Sequence, residues 1–89
     1  MMAIDHTEAF KEWASRNEPN LFNSLSDVMD SEIDLKIGDK VMFTNDYGVV
    51  FGPYEVLGFC TPSKWGNCVY LNKSSYWFPC KVEQLTKVE

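Results

Sequence analysis

The amino-acid sequence predicts an α+β chain, a single domain over 1–89 built from a helical N-terminal segment, 1–32, and a small five-strand β-barrel, 33–89. Three observations carry this expectation. Apolar residues recur at three-to-four spacing up to Met29, and the period becomes two from Ile33. After that, Gly, Pro, Asn and Asp cut the chain into strand-length pieces. A chain of 89 residues has room for one core, and six Phe, four Tyr and three Trp suit a small domain that must gain stability from a few large side chains.

The first helix is expected to begin at Asp5, where Asp5 and Glu8 have the spacing of a capping box. Ala9, Phe10, Trp13 and Ala14 then form an apolar stripe opposite Lys11, Glu12, Ser15 and Arg16, and Asn17 and Pro19 end the helix. Asn20 is placed to cap a second helix over Leu21 to Met29, with Leu21, Leu25, Val28 and Met29 on one face.

Ile33, Leu35 and Ile37 alternate with Asp34 and Lys36, and Gly38-Asp39 opens a strand from Lys40 to Thr44 with Val41 and Phe43 directed inward. Asn45 to Gly48 is a turn. Val49-Val50-Phe51 reads either as a short strand or as part of a long loop. Gly52-Pro53 interrupts the chain before a strand from Tyr54 to Cys60. Thr61 to Asn67 turns the chain into a strand from Cys68 to Leu71, and Asn72 to Ser75 turns it into another from Tyr76 to Lys81. One helical turn over Val82 to Leu85 and an edge strand over Thr86 to Val88 complete a meander.

Charge and cysteine usage narrow the function classes. The net charge of −5 is uneven: residues 1–39 carry −6 and residues 40–89 carry +1. This suggests that the helices pack on the barrel partly by charge complementarity and partly through Phe10 and Trp13. An acidic molecule repels phosphates, so nucleic acid is a disfavoured partner, and a barrel face with Lys40, Lys64, Lys73 and Lys81 is the third-ranked reading. The N-terminus lacks a basic region followed by an apolar one, and no apolar run reaches membrane-spanning length. A cytoplasmic protein without a membrane partner is expected. Cys60, Cys68 and Cys80 lack the paired spacing of a zinc site and read as reduced thiols, with Cys60 and Cys68 able to face each other across a hairpin as a redox pair.

The order Gly38-Asp39-Lys40-Val41, three meandering strands, and Val82-x-x-Leu85-x-x-Val88 resembles SH3-like barrels, in which a short 3₁₀ turn precedes the closing strand. Among named families the chain is most similar to the plasmid-borne type II dihydrofolate reductases, through Ile37 to Val41, Leu57 to Thr61, Phe78-Pro79 and Leu85 to Val88. The resemblance implies the fold and an assembled ring. It does not extend to the activity. Ser75, Tyr76, Trp77 and Phe78 stand where that family has the run that holds the pterin and nicotinamide rings, and Phe43 and Thr44 replace its lysine.

No residues converge as a catalytic or metal site. His6 is the only histidine, and the acidic residues from Asp27 to Asp34 lack the glycine and spacing of a calcium loop. The surplus aromatics are the feature that points to binding. Tyr76 and Trp77 fall on opposite faces of their expected strand, so one of them lies outside the barrel, open or covered by the helices. Tyr47 and Trp65, in their loops, are read as one aromatic edge. The leading expectation is a non-catalytic interaction module, without a cofactor, that binds a protein partner through Tyr47, Trp65, Tyr76 and Trp77. The alternatives are a small-molecule site or reductase-like pore made by homo-oligomerisation, and the nucleic-acid barrel.

Overall fold

A computed structural model describes residues 5–73 and 75–88. It contains one α-helix, α1 (Thr7–Asn17), and five strands: β1 (Lys40–Thr44), β2 (Val50–Phe59), β3 (Asn67–Leu71), β4 (Cys80–Lys81) and β5 (Leu85–Lys87). Two 3₁₀ turns, Leu25–Asp27 and Val82–Gln84, complete the regular structure. The strands form one antiparallel sheet in the order β4-β3-β2-β1-β5. No helix among the described residues is long and apolar enough to cross a membrane.

Helix α1 follows the spacing read from the sequence. Phe10 and Ala14 are buried and Trp13 packs against the core, whereas Ala9 of the expected stripe is exposed. Arg16 pairs with Glu12 at 2.9 Å on the outer face. The cap differs from expectation. Asp5 Oδ1 accepts from the Thr7 N–H at 2.9 Å and from the Thr7 hydroxyl at 2.6 Å, while Glu8 turns outward and lies 3.9 Å from Lys11. Those two bonds, with a third from Asn72, bring the Asp5 carboxyl down to about 2.

The second helix is absent, and only Leu25–Asp27 winds into a 3₁₀ turn. Phe22 exchanges backbone bonds with Phe59, at 2.8 and 3.2 Å, the Leu25 N–H donates to Leu35, and the Ile37 N–H donates to Asn23. A nine-residue helix is marginal by itself, and here the backbone groups find partners on the end of β2 and on the segment 35–37 instead. Leu25 and Leu35 both reach the core this way. Leu21 closes over Gly58, where an added Cβ would lie 3.3 Å from its Cδ1.

Strand β2 resolves the ambiguity of Val49 to Phe51 by running unbroken from Val50 to Phe59. Its first half pairs with β1 and its second half with β3. The pairing with β1 slips between Val41 and Phe43, opposite Gly52. Gly52 has φ +121°, and a Cβ there would meet the Val41 carbonyl oxygen at 3.0 Å, so only glycine fits the slip.

The strand expected over Tyr76 to Lys81 shortens to Cys80–Lys81. The Phe78 N–H donates to Ser75 in a turn, and Pro79 offers no donor to a ladder. The turn expected over 72–75 includes Ser74, which lies outside the described residues. At the end of the chain, the 3₁₀ turn at Val82–Gln84 leads from β4 into β5, so the two edge strands of the sheet are separated by only three residues. The core joins Leu25, Leu35, Val41, Val56, Phe59, Val69, Leu71 and Leu85 with Phe10, Ala14 and Tyr70.

Candidate functional site

The four aromatics singled out by the sequence stand in three places. Tyr47 is 91% exposed on the β1–β2 turn, where Asn45 Oδ1 accepts from the Tyr47 and Val49 N–H groups and Gly48 supplies φ +80°. Trp65 is 68% exposed on the β2–β3 turn, where the Ser63 hydroxyl oxygen accepts from the Trp65 and Asn67 N–H groups. Tyr76 and Trp77 lie together in the β3–β4 connection. They do not alternate across a strand, as the sequence suggested, but meet edge to face at 5.2 Å.

Tyr76 is partly covered. Its ring stacks on His6 at 5.8 Å, and it shares a shallow depression with Ala9, Trp13 and Asn17 of α1. Trp77 is 49% exposed beside it. Beneath α1, Phe10 and Trp13 close on Tyr70 of β3 at ring distances of 5.2 and 5.7 Å. Burial, and then the neighbouring Cys60 thiol, raise the Tyr70 phenol well above its usual range.

Two features fix α1 in this position. One is the apolar contact just described. The other is Asn72, whose Oδ1 accepts from the His6 N–H at 2.8 Å and whose Nδ2 donates to Asp5 at 3.0 Å. Among the described residues, the ion pairs of α1 are all internal to the helix, and none reaches the sheet.

Trp65 borders a groove of about 500 Å³. Met29 and Ile33, from the segment after the first 3₁₀ turn, line it together with Val82 and Leu85. Lys81 and Glu83 are also at its margin. A second depression of about 390 Å³ shares Met29, Ser31 and Ile33 with it and adds Asp30 and Asp34. Met29 is held beneath by the Cys68 thiol, 3.8 Å from its sulfur. Sequence reasoning missed Met29, Ile33 and Val82, whose only signal was that they are apolar.

Tyr47 does not line this groove. Its turn instead reaches the 3₁₀ turn at Val82–Gln84, where Gln84 Nε2 donates to Asp46 at 3.2 Å. Tyr47 and Trp65 therefore do not share this groove.

A third groove, about 620 Å³, lies between α1 and β2, with Phe10, Ala14, Leu21, Ile37, Val56 and Leu57 among its lining. Of the four lysines considered for nucleic acid, Lys64 sits over the Trp65 ring at 4.7 Å and Lys73 over the Phe43 ring at 4.4 Å.

Cys60, Cys68 and Cys80 are free and buried. Burial raises all three thiols, Cys68 to about 11, and Lys73 partly opposes the rise at Cys80. Cys60 and Cys68 do face each other across β2 and β3, through the Cys60 N–H to Cys68 carbonyl bond of 2.9 Å, but as thiols. No group of three His, Cys, Asp or Glu among the described residues is arranged to hold a metal. No protein-family model, curated protein or solved structure matches the chain.

Proposed function

We propose that this chain is a non-catalytic protein-binding module whose contact surface is the Trp65 groove, on a sheet of the SH3-like barrel kind. The observation that carries the reading is an indole 68% exposed at the wall of an apolar groove of about 500 Å³. A large aromatic left in water beside an apolar cleft is the usual anchor of a protein interface. In favour of the barrel, β2 is shared between two pairings, and the edge strands β4 and β5 follow one another through one 3₁₀ turn. Tyr47 extends the surface on the far side of that turn. Trp77 belongs to a separate patch.

The test compares proteins retained by immobilised wild type, Trp65→Ala and Trp77→Ala, with the urea midpoint of each as a check on folding. A partner kept by wild type and Trp77→Ala but lost from Trp65→Ala supports the reading. Equal retention by all three counts against it.

A second reading rests on the 620 Å³ groove between α1 and β2, whose size and apolar lining suit a small molecule. In its reductase-like form this reading requires an assembled ring. A monomeric mass in solution, with no heat on titration with NADPH and dihydrofolate, removes that form.

A further inference from the structure

The Trp65 groove is lined by Glu32, Glu83 and Lys81 and the groove between α1 and β2 by Glu18, Glu55 and Lys11, so what sets the Trp65 groove apart is the neighbouring depression that adds Asp30 and Asp34. Glu32 and Glu83 line the groove and Asp30 and Asp34 the depression that shares Met29, Ser31 and Ile33 with it, against Lys81 in the lining and Lys64 over the Trp65 ring. Asp30, Glu32, Asp34 and Glu83 are all exposed, and none of them has an ion-pair partner among the described residues. They are not arranged to hold a metal, because no three carboxylates of the described residues come together. They stand instead along an apolar floor of Met29, Ile33 and Val82. At the open end, the Trp65 ring already carries a cation on one face, the Lys64 ammonium, 4.7 Å from the ring centre.

We propose that the partner segment bound here is basic: one apolar side chain seated among Met29, Ile33 and Trp65, flanked by arginine or lysine. This inference rests on the protein-binding reading of the same groove. Methionine and isoleucine provide a deformable apolar seat. The four carboxylates give favourable contacts to cations on either side of it and reject acidic segments. An arginine next to the anchor can lie against the exposed indole, where a planar guanidinium packs better than an ammonium.

The probes are three fluorescein-labelled peptides in which leucine alternates with arginine, with glutamine or with glutamate, read by fluorescence anisotropy against the full chain. The arginine peptide is expected to bind most tightly and the glutamate peptide not at all. Glu32→Gln with Glu83→Gln should weaken the arginine peptide about fivefold, from two exposed charge contacts, and leave the glutamine peptide unchanged. Glu8→Gln with Glu12→Gln, which removes the same net charge from α1, should leave both unchanged.

Trp65→Ala separates the two levels of the claim, and is expected to weaken both the arginine and the glutamine peptide about tenfold or more. If it does so but the three peptides bind alike, or the α1 variants weaken binding as much as the groove variants, the basic-partner inference is overturned and the groove reading stands. If Trp65→Ala changes nothing, or no peptide binds, both are overturned.

Discussion

Two apolar surfaces of this chain carry exposed-sequence aromatics, and they meet opposite fates. On α1, Phe10 and Trp13 close on Tyr70 and form part of the core. At the other surface, Trp65 stands at the rim of a groove among Met29, Ile33 and Val82 with its ring largely in solvent. Both surfaces set a tryptophan among apolar side chains. The difference lies in what crosses them: α1 is tied across the sheet by Asn72 as well as by its apolar face, whereas the side chain of Lys64 lies over Trp65. In a small domain, aromatic content serves the core first, and only the remainder is left for binding.

Phe10→Ala is expected to have the largest effect, a loss of about 3–5 kcal/mol in urea unfolding, because it empties the contact between α1 and Tyr70. A loss below about 1 kcal/mol would mean that α1 is not part of the core.

Asn72→Ala comes next, at about 1 kcal/mol from the part-buried His6 N–H that it leaves without this partner, and the Asp5 carboxylate loses the same partner. It should also change the acid limb of stability. The Asp5 carboxyl is depressed from 3.8 to about 2, chiefly by Thr7 and then by Asn72. Its contribution is therefore full above about pH 4 and is lost as the pH falls toward 2. Without Asn72 the depression is smaller, and stability should fall less steeply over that window. Identical slopes for wild type and variant would show that Asn72 does not act on Asp5.

Trp65→Ala should have the smallest effect on stability, within about 0.5 kcal/mol, as for an exposed side chain outside the core. A loss comparable to that of Phe10→Ala would erase the contrast between the two surfaces and make the groove wall a part of the core.

Much of the fold was legible because it rests on short-range pattern. The stripe of Phe10, Trp13 and Ala14, the turn at Asn45 to Gly48, and the 3₁₀ turn before β5 all depend on residues within a few positions of one another. The segment Leu21 to Met29 misled for the same reason. Its apolar spacing is helical, yet Phe22 and Leu25 take their backbone partners from Phe59 and Leu35. Tyr76 and Trp77 misled through an alternation that needs a strand, and the chain turns there instead. Of the site, Trp65 was legible as a bulky residue on a turn, but its groove was not.

By itself, the sequence determined the acidic character of residues 1–39, the helix α1 and its buried face, and the turn at Asn45 to Gly48. These are properties of local spacing and of backbone conformations that Gly, Pro, Asn and Asp favour. Only the tertiary structure decided which aromatics are covered and where Met29 meets the sheet. Each depends on contacts between distant residues, such as Cys68 with Met29, 39 positions apart, and His6 with Asn72, 66 apart. Such contacts are selected by how the whole chain fills its core, and no local pattern encodes them.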